Sequence, residues 1–312
     1  MRHVPKLLAT VPLALAVALV AGCGKSGSTL SPAAGGDTGS VDQIQVNEAI
    51  AAHPEVLDDG GLSSDPTQTS LSTGGGATPA SIEAPIQPLF FWRHITRTDR
   101  SFEFAFSDTD STGRPTRAIV TALRNFGGQF NVVVGDSNSF GGGNVIHKNL
   151  VDHWVRRIEL RRMRLTATGD PVWKIVAASA VRITSKDATA HIQSIQVETA
   201  GLDTTLTAPL ELFRLRGLLR FAPDTPVTIT VTTTHDNDVV LLYSANRRMR
   251  FKNNGDGTYV GTWSTPDLAG LRHVGINALT HGTLYDDTAP YDSQAWMLPF
   301  VVTGHELADY LP

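Results

Sequence analysis

Phe102-Glu103-Phe104-Ala105-Phe106 decides the fold class. The three rings recur at every second residue, so an extended backbone sets them on one side and leaves Glu103 and Ala105 on the other, the pattern of a half-buried β-strand. The same period continues toward the C-terminus. Arg117–Arg124, Gln129–Val134, Glu159–Thr166, Val172–Val181 and His191–Thr199 read as further strands, separated by turn residues such as Thr168-Gly169-Asp170-Pro171. Leu150–Ile158 also suits a helical face through Val151, Trp154, Val155 and Ile158, but its Trp, Val and Ile content places it with the strands. Beyond Leu206 the strands become regular: Leu210–Arg216, Val227–Thr234, Val239–Ser244, Met249–Lys252, Thr258–Ser264, His273–Thr280 and Ala295–Val302. The expected fold is mainly β.

Composition sets the outer bounds. The chain has 312 residues, 41% hydrophobic and 18% charged, enough for about two ordinary domains with a sizeable core and too apolar for wholesale disorder. With 26 Lys and Arg against 30 Asp and Glu, its surface is not a nucleic-acid footprint. A single cysteine excludes an intrachain disulfide framework and any multi-cysteine metal knuckle. The ten histidines are scattered without ligand spacing, and neither a Gly-x-Ser-x-Gly elbow nor a His-Glu-x-x-His helix occurs. Gly24-Lys25-Ser26 is not the end of a phosphate-binding loop, because Leu19 stands where the upstream glycine is needed. No catalytic residue, metal site or cofactor is expected.

The first residues have a different logic. Arg2 and Lys6 precede an apolar run from Leu7 to Val20, and Val20-Ala21-Gly22-Cys23 follows. A charged start, a short apolar core and a small-residue cleavage site make a secretory signal over residues 1–22. The run is shorter than the about 20 apolar residues that span a bilayer, and Pro12 interrupts it. Val20-Ala21-Gly22-Cys23 resembles the lipobox of bacterial lipoproteins. The resemblance implies that Cys23 takes a diacylglycerol and becomes the first residue after cleavage, tethering the chain to the cell envelope. Two acyl chains suffice for stable anchoring, at roughly 0.8 kcal/mol per buried methylene. An Asp after the cysteine commonly retains such proteins at the inner membrane; here Gly24 favours the outer membrane where one exists.

Residues 23–88 read as an acidic, low-complexity tether. Between Gly24 and Pro88, Lys25 is the one base against eight acids, and patches such as Ser72-Thr73-Gly74-Gly75-Gly76 lack hydrophobic content. One helix is expected within it over 41–57, from the spacing of Ile44, Ala49, Ile50 and Leu57 before the Asp58-Asp59-Gly60-Gly61 stop.

Two further resemblances bear on the folded part. Glu159–Thr166 and Val172–Val181, with Val172-Trp173-Lys174-Ile175-Val176 on the return, are similar to the late hairpin of nuclear transport factor 2-like domains. This implies a curved sheet with a pocket over residues 89–205, while a plain sandwich or open barrel fits those residues equally well. Asn254-Gly255-Asp256-Gly257-Thr258-Tyr259, followed by Trp263 and Pro266, resembles the hairpin of filamin-type and bacterial immunoglobulin-like repeats. It implies an immunoglobulin-like β-sandwich over 206–304, followed by a tail over 305–312.

Several clusters are candidate sites. Arg157, Arg161, Arg162 and Arg164 lie in a region with 18 bases against 12 acids between Leu89 and Arg220, while Phe221–Pro312 has 5 against 10. Arginine suits anion recognition, so these four are the candidate anion-binding residues, although on a strand Arg162 and Arg164 face one way and Arg157 and Arg161 the other. The rival reading is a solvated face, or one that pairs with an acidic neighbour. Tyr285, Tyr291 and Trp296, beside Asp286, Asp287 and Asp292, are candidate glycan-binding residues. Asp108-Thr109-Asp110-Ser111-Thr112-Gly113 resembles half a calcium loop, but Ile119 replaces the closing Glu, and a hairpin turn is expected. His235-Asp236-Asn237-Asp238 is likewise expected to be a polar turn. The expected function is a lipid-anchored, non-enzymatic binding or scaffolding module. Its partners are the bilayer and an envelope protein or glycan. The alternatives are a small-ligand carrier or enzyme with a pocket in the sheet of 89–205, and glycan binding by the C-terminal sandwich.

Overall fold

A computed structural model of the chain describes residues 41–61, 69–70, 86–135, 144–164, 171–214, 217–244 and 247–303. The expected lipobox at residues 20–23, the Thr168–Asp170 turn and the expected tail lie outside them. The protein is mainly β, as expected. A helix α1 (Val41–Ala51) and a 3-10 turn (Pro54–Leu57) come first. The strands β1 (Thr69–Ser70), β2 (Pro88–Thr109), β3 (Pro115–Val134), β4 (Asn144–Arg164), β5 (Pro171–Ala178), β6 (Val181–Ser185), β7 (Ile192–Thr199) and β8 (Leu202–Leu206) follow. Then come β9 (Phe213–Arg214), β10 (Leu219–Phe221), β11 (Pro226–Thr233), β12 (Val239–Ser244), β13 (Arg247–Arg250), β14 (Lys252–Asn253), β15 (Thr258–Ser264) and β16 (Gly270–Leu279). A short helix α2 (His281–Tyr285) precedes β17 (Ser293–Val302).

These strands form two sheets. The larger runs β1-β2-β3-β4-β6-β17-β16-β12-β13, with β5 also on β4, β9 on β5, and β10 parallel to β17. The smaller runs β14-β15-β11-β7-β8. The expected boundary between residues 205 and 206 therefore does not separate two bodies. β17 pairs with β6, so Ala295 faces Ile183 and Trp296 faces Arg182, while β11 pairs with β7 through Ile229 and Val197. The described residues fall within one compact unit.

Two cores lie on opposite faces of the larger sheet. Along β12, Val239, Leu241 and Tyr243 enter one core while Val240 and Leu242 enter the other. β17 divides similarly: Ala295 and Met297 join the first core, and Trp296, Leu298, Phe300 and Val302 join the second. The second core fills the space against the smaller sheet with Ile195, Val197, Val227, Ile229, Val231 and Tyr259, which makes a sandwich. The first gathers Phe91, Phe130, Trp154, Ile158 and Trp173 from the long strands under Val46, Ile50, Val56 and Leu57.

Those last four residues correct the tether. Within it, residues 41–61 pack into the first core rather than running free. The helix also ends earlier than 57: Pro54 donates no backbone hydrogen and opens the 3-10 turn instead. Its buried face is Asp42, Val46 and Ile50, whereas Ile44 is 52% exposed.

Neighbouring runs in the sequence fuse into long strands. β2 and β3 pair from Pro88↔Val134 to Thr109↔Pro115, and β3 and β4 from Arg117↔Arg161 to Val134↔Asn144. Phe102, Phe104 and Phe106 do lie along one face of β2, half-buried against the first core. In the β14–β15 hairpin, Gly255 and Gly257 take φ of +84° and +83°, the left-handed region that glycine enters freely. Asn253 and Asp256 brace it by accepting from Gly255 N and Thr258 N.

Candidate functional site

The structure disperses the residues singled out in the sequence. Arg161 binds Glu159 and Asp108 on one face of β4, at 2.9 and 2.8 Å. Arg162 turns to the other face, 4% exposed, where it pairs with Asp110 and lies 3.6 Å from Asp42. Arg164 is exposed at the strand end, and Arg157 is half-buried with its backbone N donating to Ser179 Oγ. Carboxylates of this chain thus occupy two of the four candidate anion-binding arginines. Part of the acid comes from the segment read as a tether, since Asp42 accepts from Arg114 at 2.7 Å and from Trp173 Nε1 at 3.3 Å.

The aromatic candidates do not form a glycan surface. Trp296 is 2% exposed in the second core and donates to Gln294 Oε1, while Tyr291 is 7% exposed in the first core. Burial removes the ring faces that stacking on a sugar requires. Tyr285 stacks on His281 at 4.5 Å and accepts from Arg250. Asp292 accepts from Thr189 N, Thr189 Oγ1 and Ala190 N, which makes it a structural brace.

The two loops read as turns have turn chemistry. Asp110 Oδ1 accepts from Thr112 N, Thr112 Oγ1 and Arg114 N, and the Thr112 hydroxyl leads in holding its pKa down to about 2. His235 Nδ1 lies 3.1 Å from Asp238 Oδ1 across its own turn. Among the described residues, no three His, Cys, Asp or Glu side chains gather as metal ligands.

A buried polar chain crosses the first core. Arg93 on β2 donates to Asn277 on β16 and to Tyr291, and Tyr291 donates to Asp152 on β4 at 3.0 Å. Burial works against the Arg93 charge, but Tyr291, Tyr243 and Asp152 hold its pKa above the ordinary value. Burial raises Asp152 and Tyr291. This chain ties together residues of the two expected domains. Lys148 does the same by donating to the carbonyls of Gly282, Asp286 and Ala289, with burial lowering its pKa to about 8.

A cavity of about 210 Å³ lies elsewhere. Its wall joins the loop after the 3-10 turn to the larger sheet: Asp58 and Gly60 on one side, Tyr243, Arg248, His273 and Met297 on the other. The loop is built by its own acids, since Asp58 Oδ1 accepts from Gly60 N and Asp59 Oδ1 from Gly61 N. Two arginines seat it on the long strands. Arg124, stacked 4.6 Å over the Trp154 ring, donates to Leu57 O, and Arg156 spans Ser179 O and Asp58 O. Burial lowers the Arg156 pKa to about 10.

His273 is the unusual member of this wall. Its side chain is 8% exposed, its Nδ1 lies 3.8 Å from Asp58 Oδ2, and its Nε2 has no hydrogen-bond partner among the described residues. Burial, then the Arg156 charge, push its pKa down to about 4, with Asp58 pulling the other way, so it is neutral near pH 7. Arg248 lies 4.4 Å over the Tyr243 ring, a cation–π contact. Sequence reading missed this site because its parts are 215 residues apart, and because Arg248 stands in the half with an acidic total. The one local signal was Asp58-Asp59-Gly60-Gly61, read as a helix stop.

No protein-family model, no curated protein and no solved structure matches the chain.

Proposed function

We propose that the protein is a lipid-anchored component of the bacterial cell envelope, acting as a binding or scaffolding module rather than an enzyme. The observation that carries this reading is Val20-Ala21-Gly22-Cys23, with the chain's one cysteine at the lipidation position after a charged start and an apolar run. Gly24 favours export to the outer membrane where the cell has one. The immunoglobulin-like reading of the sandwich, in which the smaller sheet packs on β12, β16 and β17, agrees with a scaffold role. The charged side chains support it too. Arg114, Arg161, Arg162, Asp42, Asp110 and Glu159 make ion pairs that brace strands and α1, which is structural work.

Metabolic labelling with palmitate tests the anchor. The wild-type chain expressed in a bacterium takes up label, and Cys23→Ser takes up none; label persisting in Cys23→Ser contradicts the reading.

A further inference from the structure

β2 has an open edge. β3 pairs along one side of it from Pro88 to Thr109, whereas β1 reaches only Phe90 and Phe91 on the other. Beyond Phe91, no strand among the described residues adds to that side. Residues 96–101 are exposed one after another, so neither face is covered there, and Glu103, Ala105 and Ser107 continue the exposed row. The backbone groups directed away from β3 therefore face solvent, and such a row is a template for a further strand.

Two irregularities bound the part of the edge that can accept one. Thr96 bulges between the pairs Ile95↔Gly128 and Arg97↔Gly127, and Asp108 leaves the extended conformation at φ +51°. The regular stretch is 97–107, and its midpoint is Phe102. Phe102, Phe104 and Phe106 share one face with Thr98 and Arg100, while the charges of the other face are Arg97, Asp99 and Glu103. The rings are half-buried in a continuous row: Phe102 to Phe104 and Phe104 to Phe106 are each 6.3 Å between centroids, and Arg100 lies 5.4 Å over Phe102. This aromatic row runs beside an edge with no strand to cover it.

We propose that β2 is a dimerisation strand: two copies of the chain pair antiparallel through this edge, about a two-fold axis at Phe102, and join their larger sheets into one. Continuous faces require opposed residues to be both even or both odd in number. With the axis at Phe102, that ring meets its own copy, Arg100 meets Phe104, Asp99 meets Ala105 and Ser101 meets Glu103. The Arg100–Phe104 contact is a cation–π pair made twice by symmetry, and the Phe102 pair closes the aromatic row. Moving the axis to Ser101 sets Asp99 against Glu103, and moving it to Glu103 sets that carboxylate against its own copy. Both shifts oppose like charges, which destabilises a strand pair. The bounds of the regular stretch and its charge pattern thus select the same register. The dimer goes beyond the scaffold reading and does not depend on the anchor.

Double electron–electron resonance on the full chain, purified from membranes in detergent, tests the proposal. Spin labels are placed one at a time at Arg97→Cys and Ser107→Cys, both on exposed positions. The two lie equally far from the Phe102 axis, so both should give one distance, about 34 Å between backbones at ~3.4 Å per residue. An axis at Ser101 or Glu103 would instead split them to about 27 and 41 Å. The parent chain, with Cys23 alone, is the control; should Cys23 take label, Cys23→Ser becomes the background, so a failed anchor is read separately. Ala105→Asp opposes Asp99 twice and should weaken the dimer about fivefold on dilution, while Ala105→Lys at the same exposed position should strengthen it by a similar factor. Absence of both distances in chains whose thermal melts match the parent means a monomer and overturns the proposal. Unequal distances overturn the Phe102 axis, and a dimer insensitive to both Ala105 changes overturns β2 as the interface.

Discussion

Gly128 sits where β3 passes the irregularity in β2 between Ile95 and Arg97. A Cβ there would overlap the His94 carbonyl oxygen and come within 2.9 Å of Ile95 Cα, both backbone atoms with little freedom to retreat. Gly128→Ala should therefore destabilise the protein by about 1–3 kcal/mol, the range for forced backbone strain. Urea unfolding checks this, and a cost under about 0.5 kcal/mol would mean that β2 relaxes freely. His273 sets a pH dependence at the same scale. Its folded pKa of about 4 lies below the ordinary 6.5, so as pH falls the unfolded chain takes up the proton first. Stability from this group is whole above pH ~6.5 and is lost between ~6.5 and ~4, by about 2–3 kcal/mol. His273→Gln should remove that part of the acid sensitivity. Equal losses in both proteins between pH 7 and 4.5 would show that His273 is not the responsible group.

At the scale of elements, α1 depends on one carboxylate. Asp42 faces Arg114, Arg162 and Trp173 from the buried side of the helix, and Val46 and Ile50 follow it one and two turns on. Replacing a buried charge partner leaves guanidinium groups partly unsatisfied, so Asp42→Asn should cost about 1–3 kcal/mol and speed amide exchange in α1. Unchanged exchange would mean that the apolar contacts alone seat the helix. The sequence made α1 visible as a helix but not which face is buried. Ile44 is more hydrophobic than Asp42, and only Arg114, just before β3, and Arg162 on β4, more than 70 residues away, reverse that order. Strands fared better where their flanks hold turn residues: Val239–Ser244 and Thr258–Ser264 were legible to the residue. Leu210–Arg216 was not, since its described strand is Phe213–Arg214 alone, and nothing local to α2 or β10 marked them in advance.

Across the whole molecule, the misplaced boundary at 205/206 has a physical reason. Alternation between apolar and polar residues reports a strand with one buried face, but Val239-Val240-Leu241-Leu242-Tyr243 is apolar throughout because β12 borders a core on each side. Ala295–Val302 has the same character. Read in series such runs look like one domain's interior, whereas they are the partition between two cores. The charge totals misled in a related way. The acids of residues 42–59 and the bases of β3 and β4 belong to one folded unit, and Arg248 and Arg272 line one cavity although they stand in the half with an acidic total. Because one sheet serves both cores, they should lose structure together. Hydrogen exchange by mass spectrometry across a urea series measures this most directly, comparing amides of β3 and β4 in the first core with those of β11 and β15 in the second. The account predicts one shared midpoint for all four strands; β3 and β4 opening at a urea concentration well separated from that of β11 and β15 would contradict it.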